Sequence, residues 1–152
     1  MDFTTVKRVY VAGKLNDMAV AYLHNVHKLM KQAEEVKRAG YAPFIPAIDL
    51  LMGIKFGYES YEDYFNMSQS WLLASHAVML TPGWRTSTGT VKEIQLAIEY
   101  GIPVFESIAS MDNYFKTGED RLRLVGITTT KKGQADRVVY YQEFVEEVAA
   151  GE

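Results

Sequence analysis

The stretch from Val78 to Phe105 constrains the fold of this chain more than any other. A short apolar run is followed by a loop rich in small and hydroxyl residues, then by a helix-like segment that stops at Gly101, and then by a second apolar run. This order is typical of a β–α–β unit, in which two parallel strands are joined by a helix that covers one face of the sheet. The stretch therefore predicts an α/β protein with a turn that can bind an anion.

The alternation of strand and helix signals extends back to the start of the chain. Short β-branched or aromatic runs alternate with segments of helical apolar spacing. Because parallel strands need helices on both faces, we expect a three-layer α/β/α fold with a Rossmann- or flavodoxin-like open parallel sheet of about five strands. The predicted strands are Val6–Ala12, Ala42–Ile45, Ala77–Leu80 and Pro103–Phe105, and the predicted helices are Asp17–Arg38, Tyr61–Ala74 and Gly89–Tyr100.

The pattern is weaker after Phe105. We predict one helical turn at Asp112–Lys116, strands at Leu122–Thr130 and Arg137–Tyr141, and a closing helix at Gln142–Ala150. A chain of 152 residues, 48% of them hydrophobic, has the length of one domain rather than two. We therefore expect a single domain over residues 1–152, with a core at 6–108 and a C-terminal extension at 109–152 to which the sequence assigns no role.

Composition and charge exclude several classes of function. The chain has no cysteine, so disulfides, thiolate nucleophiles and cysteine zinc sites are ruled out. Its net charge of -3 argues against a nucleic-acid polymer as partner, because phosphate backbones are bound by clustered lysine and arginine. No apolar run approaches a membrane span or a signal-peptide core, so we expect a cytoplasmic protein with no membrane partner. His24 and His27 have no partner at metal-ligand spacing, and we expect neither a metal nor a cofactor.

The ends of the predicted strands indicate where a ligand would bind. Open parallel sheets bind ligands outside the carboxyl ends of their strands. By that rule Gly13–Asp17, the segment from Pro46 onward and Thr81–Thr90 converge on one crevice. Residues Ala47–Ser60 form a loop of the length that is usually functional.

Glu93 has two interpretations. Thr90 and Glu93 have the spacing of a capping box, in which a threonine caps the helix and a glutamate three residues later completes the cap. The helical period instead places Glu93 above Ala97, on the flank away from the polar face of the helix. A carboxylate in that position points toward the crevice, so the residues leave both a structural and a chemical role open.

Several residues near the crevice are of the types that bind anions. Hydroxyl groups and glycines at the start of a helix offer hydrogen-bond donors, and the helix dipole adds to the attraction. The alternative is an ordinary polar loop with a serine or threonine cap and with basic side chains that point into water. The candidates for substrate or phosphate binding are Gly13, Lys14, Arg85, Ser87, Gly89 and Thr90.

Aromatic residues close to the crevice could stack on a flat ligand. Tyr61 and Trp84 are the candidates for stacking on a nucleobase, with packing or an oligomer contact as the alternative. His76 could act as an acid, but it enters the third strand at the end opposite the crevice, which favours a structural role.

Together these residues resemble one protein family. The matching motifs are Gly89-Thr90-x-x-Glu93, Ala97, Gly101-x-Pro103-Val104, Val9-Tyr10-Val11-Ala12-Gly13, Asn25, Ala39-Gly40-Tyr41 leading to Pro46, and Leu80-x-Pro82-Gly83-Trp84 with Ser87-x-Gly89. They resemble the nucleoside 2-deoxyribosyltransferase-like superfamily, which includes deoxyribosyltransferases, nucleoside 5'-monophosphate N-glycosidases and uncharacterised phage and bacterial domains. The resemblance covers roughly Val9 to Phe105.

The resemblance implies a reaction and the residues for it. In such enzymes the glutamate that matches Glu93 attacks the anomeric carbon of the sugar, expels the nucleobase and forms a glycosyl ester, which water or a second base then resolves. Ser87 and Gly89 match residues that help to hold the 5'-phosphate in the monophosphate branch. A homodimer or larger homo-oligomer is also expected, since related enzymes complete their pockets with a neighbouring subunit. The substrate would be a nucleoside or a nucleoside 5'-monophosphate.

Three positions depart from the family pattern. Ser87 replaces an aspartate that many transferases carry, which favours the phosphate-binding branch. Ser68 and His76 stand where members commonly have two further aspartates, one of which is thought to help the base leave. The alternative function is therefore a nucleotide-binding module of the same fold that turns over weakly or not at all.

Overall fold

The computed structural model of the protein describes residues 2, 4–15, 19–46, 55–57 and 61–151. Its strands are β1 (Arg8–Ala12), β2 (Ala42–Phe44), β3 (Ala77–Leu80), β4 (Val104–Phe105), β5 (Leu124–Thr129) and β6 (Ala135–Tyr140). Its helices are α1 (Ala19–Arg38), α2 (Tyr61–Leu73), α3 (Thr88–Glu99), α4 (Ile108–Thr117) and α5 (Tyr141–Gly151), and a 3-10 turn spans Trp84–Thr86. Most of the predicted loop Ala47–Ser60 and the predicted helix start at Asp17 lie outside the described residues.

The six strands form one open sheet in the order β2-β1-β3-β4-β5-β6. The strands β2, β1, β3 and β4 are parallel, as predicted, with Tyr10 level with Phe44 on one side and with Val78 on the other. β5 pairs antiparallel with β4, and β6 pairs antiparallel with β5, so the sheet is mixed rather than wholly parallel. Its six strands correspond to the six predicted strand segments rather than to about five. The turn at 130–134 explains the direction of β6, because so short a connection can join only antiparallel strands.

Helices cover both faces of the sheet and produce the three predicted layers. Tyr10 and Ala12 of β1 face α2 and α3, while Val9 and Val11 face α1 and α4. This alternation follows from the period of two in a strand, and it explains why β1 is apolar along most of its length. The layer of α2 and α3 contributes Leu72, Val91, Ile94 and Ala97 to the core. The layer of α1 and α4 contributes Leu29, Val36 and Met111.

The crevice side of the sheet is built around the carboxyl ends of β1 and β3. The Thr81 N–H donates a hydrogen bond to the Ala12 carbonyl at 2.8 Å, which joins the two strand ends. Gly13 follows at once and must be glycine for steric reasons, because an added Cβ would lie 2.8 Å from the Cβ of Thr81. Among the described helices, none has the length and apolar character needed to cross a membrane.

Candidate active site

The start of α3 is fixed by Ser87. The Ser87 Oγ accepts a hydrogen bond from the Thr90 N–H at 3.2 Å and a second one from the Thr90 hydroxyl at 2.9 Å. Ser87 is therefore the N-cap, and Thr90 lies inside the first turn of the helix. The capping-box interpretation of Thr90 and Glu93 is wrong, because Glu93 comes one turn too late to reach the cap.

Glu93 is a buried carboxyl group between α3 and the sheet. The residue exposes 8% of its surface, and its Oε2 atom has no hydrogen-bond partner among the described residues. Burial raises the pKa of Glu93 from 4.5 to about 7, and this rise is smaller than burial alone would cause because the Tyr10 hydroxyl favours the ionised form. Such an environment is typical of carboxyl groups that take part in chemistry, since a structural carboxylate is usually paired.

Tyr10 is a site residue that was not predicted from the sequence. It is fully buried in β1, and its ring packs on Phe44 with centroids 5.8 Å apart. Phe44 in turn stacks on Trp71 of α2 at 5.3 Å, and Trp71 is 54% exposed. The period of two in β1 placed Tyr10 on the same face as Ala12, but only the packing of α3 shows that this face meets Glu93.

Lys14 lies in a polar pocket at the carboxyl ends of β1 and β3. The pocket has a volume of about 190 Å³ and is lined by Lys14, Asn25, Lys28, Thr81, Pro82, Gly83 and Thr86. Gly13 does not line the pocket, but it packs against Thr81 in its wall. Asn25 and Lys28 lie one turn apart on α1, a helical spacing that could have indicated a shared face.

The other predicted anion ligands lie outside this pocket. Ser87, Gly89, Thr90 and Arg85 are not part of its wall, and the Ser87 and Thr90 hydroxyls bond to each other at the start of α3. Their role in phosphate binding stays a prediction.

Trp84 and Arg85 follow Gly83 in the loop after β3, and the C-terminal hairpin of β5 and β6 holds them in place. Trp84 is buried in the core, and the Arg85 guanidinium lies 5.2 Å from the centre of its ring. The Arg85 Nη2 also donates a hydrogen bond to the Tyr140 hydroxyl at 3.2 Å, and that hydroxyl donates to Glu106. Burial, followed by this bond to Glu106, raises the pKa of Tyr140. Burial makes packing the evident role of Trp84, and its stacking on a base stays a prediction.

His76 has a structural position. Its Nδ1 accepts a hydrogen bond from the Arg8 N–H at 2.9 Å, at the amino ends of β1 and β3 and away from the pocket. Burial lowers its pKa, and the charges of Arg8 and Lys7 add to this effect.

Two more predicted site positions lie on α2. Ser68 is buried there and brings no carboxyl group to the site. The side chain of Tyr61 lies outside what the structure describes, so its role stays a prediction. Within the described ranges, acidic and histidine side chains form no group of three or more that could hold a metal ion.

Comparisons with known proteins identify the family but not the reaction. No curated protein matches the chain. A crystal structure of a conserved protein from Enterococcus faecalis V583 is similar, with a TM-score of 0.51 and 22% identity over 75% of this chain and 74% of that one. At this identity the similarity shows a shared fold. The sequence model described as "Domain of unknown function (DUF4406)" matches residues 7–106, which is about two thirds of the chain, and the protein therefore belongs to the DUF4406 family.

Proposed function

We propose that this protein cleaves the N-glycosidic bond of a nucleoside or nucleoside 5'-monophosphate in the cytoplasm, with Glu93 as the nucleophile. The observation that carries this proposal is the buried Glu93 carboxyl group, whose pKa is raised to about 7 and whose Oε2 has no partner among the described residues. The resemblance to the nucleoside 2-deoxyribosyltransferase-like superfamily supports the assignment. The DUF4406 match at residues 7–106 spans the motifs on which that resemblance rests.

The proposed reaction has two displacement steps. A carboxylate oxygen of Glu93 forms a bond to the anomeric carbon while the bond from that carbon to the base nitrogen breaks. The electron pair of the broken bond leaves with the base, which takes a proton from solvent. Water then attacks the sugar ester, its hydroxyl stays on the anomeric carbon, its proton returns to solvent, and the Glu93 carboxylate is regenerated. If a second base replaces water, the product is a new nucleoside.

The environment of Glu93 suits this chemistry. With a pKa of about 7, both the protonated and the ionised form are populated at neutral pH. The transition state of glycosidic cleavage is cationic, so the ionised form of Glu93 would both stabilise the developing charge and act as the nucleophile. The Tyr10 hydroxyl would assist by donating to the carboxylate.

The phosphate of a nucleotide has several candidate ligands under this proposal. Ser87 and Gly89 correspond to phosphate ligands in the monophosphate branch of the superfamily, and Ser87 takes the place of the aspartate of many transferases. Gly13, Lys14, Arg85 and Thr90 are further candidates, of which Lys14 lies in the polar pocket.

A nucleotide-binding module without turnover is the second candidate function. The observation that favours it is Ser68, a buried residue of α2 that occupies the place of an expected aspartate. Without that carboxyl group the leaving base lacks the acid that the resemblance implies. This candidate predicts binding of nucleotides without release of base.

A base-release assay separates the two functions. The protein is incubated with a panel of nucleosides and nucleoside 5'-monophosphates, and free base is measured by chromatography. We expect release by the wild type, none above background by Glu93→Gln, and wild-type release by Glu99→Gln, a control on the exposed face of the same helix. Nucleotide binding without any release would favour the binding module, and full activity of Glu93→Gln would remove Glu93 from the mechanism.

A further inference from the structure

The polar pocket is separate from the Glu93 environment. It lies on the α1 side of the sheet, whereas Glu93 lies on the α3 side and does not contribute to its wall. The pocket lies at the point where the strand order reverses. From β1 the chain passes through α1 to β2 on one side of β1, and the later strand β3 pairs with β1 on its other side. Open α/β sheets bind ligands at such switch points.

The Thr81 hydroxyl is the strongest indication that the pocket takes a ligand. Thr81 lines the pocket and is 3% exposed. Its Oγ1 has no hydrogen-bond partner among the described residues. Leaving a buried hydroxyl without a partner is unfavourable, so such a group is expected to bond to a ligand or water. The close contact with Gly13 fixes the position of this side chain, since a Cβ at residue 13 would lie 3.0 Å from the Oγ1.

The remaining wall defines the chemical class of that ligand. Lys14 and Lys28 bring two positive charges from separate elements, and none of the described residues in the wall is acidic. The amide of Asn25 is oriented by a hydrogen bond from its Nδ2 to the Leu15 carbonyl at 3.4 Å. Two ammonium groups and a buried hydroxyl donor are complementary to an oxyanion with several acceptor oxygens and more than one negative charge.

We propose that this pocket binds a phosphate group, either as free phosphate or as the phosphate of a nucleotide. The binding of a nucleotide's phosphate here rests on the proposed function, in which Lys14 is already a candidate phosphate ligand, whereas phosphate binding itself requires no chemistry at Glu93. The site also places Asn25, Lys28 and Thr81 in a binding role that the motifs around α3 do not indicate.

Calorimetric titration at constant ionic strength tests the proposal. Inorganic phosphate, adenosine 5'-monophosphate and adenosine are each titrated into the wild type and into Thr81→Val, Lys28→Gln and Lys31→Gln. We expect Thr81→Val and Lys28→Gln each to weaken phosphate or nucleotide binding by about tenfold, the effect of one hydrogen bond or charge contact to an anion. Lys31→Gln is the matched control on the exposed part of α1 and should leave the affinity unchanged.

The three ligands distinguish the source of the phosphate. If the nucleotide binds more tightly than inorganic phosphate and both are weakened by the two pocket variants, the pocket holds the phosphate of a nucleotide. If only inorganic phosphate responds to the variants, the ligand is the free anion. The proposal is overturned if neither phosphate ligand saturates the wild type below about 20 mM, or if all four proteins bind with the same affinity. Because Lys28→Gln changes a solvent-facing side chain of α1, it preserves the test even if Thr81→Val does not fold.

Discussion

The Tyr10 hydroxyl of β1 favours the ionised form of the Glu93 carboxyl group of α3, and both residues are buried between the sheet and the helix. This interaction lowers the pKa of Glu93, whereas burial, the larger effect, raises it, and the resulting pKa is about 7. Tyr10→Phe should therefore raise the pKa of Glu93 further, by about one unit, which corresponds to the loss of one polar interaction with a charged group. Carbon-detected NMR titration of the side-chain carboxyl group measures this shift without any assay of activity.

The matched control for this titration is Tyr140→Phe. Tyr140 donates its hydroxyl to Glu106 and not to Glu93, so its removal should leave the Glu93 midpoint near 7. A Glu93 midpoint that is unchanged or lower in Tyr10→Phe would show that the two side chains are not coupled.

The raised pKa of Glu93 also predicts how stability depends on pH. The folded protein binds a proton at Glu93 more tightly than the unfolded chain does, with a pKa of about 7 against 4.5. The contribution of this group is therefore fully present below pH 4.5 and is lost as the pH rises to about 7. Glu93→Gln cannot ionise and does not lose this contribution. As the pH rises from 4.5 to about 7, its unfolding free energy should therefore increase by about 3 kcal/mol relative to that of the wild type.

Chemical denaturation at a series of pH values measures this gain. Glu99→Gln removes an exposed carboxyl group from the same helix and should follow the wild-type curve. Parallel curves for the wild type and Glu93→Gln would contradict a buried Glu93 with a raised pKa.

The parallel part of the fold could be predicted from the sequence, because its signals are local. Apolar residues that repeat every two or every 3.6 positions, together with glycine and proline at the segment ends, predicted β1 to β4 and the helices between them. The predicted ends agree with the observed ones within a few residues. The direction of β5 has no such signal, since it depends on how the chain returns to β4 after the helix Ile108–Thr117, and β6 then runs opposite to β5 because a short turn joins them. The helical turn predicted at Asp112–Lys116 is likewise part of a longer helix, which Ser107 caps.

The site was predicted less completely than the fold. Ser87 and Thr90 are both of a residue type that caps helices, and the extended backbone of Ser87 after the 3-10 turn decides between them. The partnership of Tyr10 with Glu93 joins residues that are far apart in the chain, so no local pattern could show it. The same holds for Thr81 and Lys28, which meet only because α1 packs beside the ends of β1 and β3.

Gly13 should not tolerate a side chain. In Gly13→Ala the new Cβ would lie 2.8 Å from the Thr81 Cβ and 3.0 Å from the Leu29 Cδ2, so the backbone at residue 13 or the Thr81 side chain would have to shift. We expect a loss of about 1–3 kcal/mol in unfolding free energy, which is typical of overpacking, measured by chemical denaturation. Gly151→Ala, where a Cβ meets nothing within 4 Å, is the control and should change little. Equal denaturation midpoints for Gly13→Ala and the wild type would refute the close contact.

Homo-oligomer formation stays a prediction that light scattering can test. The described part of α5 has no buried residue and exposes Phe144, Val145 and Val148, while α2 exposes Met67 and Trp71. We expect a mass at micromolar concentration of at least twice the 17.2 kDa of one chain. Phe144→Glu and Met67→Glu should show which helix forms the contact, because a buried charge disfavours association. A clean monomer of the wild type would contradict a site shared between subunits.

Trapping the glycosyl ester on Glu93 tests most directly whether this residue is the nucleophile. The protein is mixed with a nucleotide or nucleoside from which it releases base, quenched in acid within one turnover, digested and analysed by mass spectrometry. We expect an added sugar or sugar phosphate on the peptide that contains Glu93, and no such adduct in Glu93→Gln. Release of base with an unmodified Glu93 peptide, together with retained activity of Glu93→Gln, would contradict this role of Glu93.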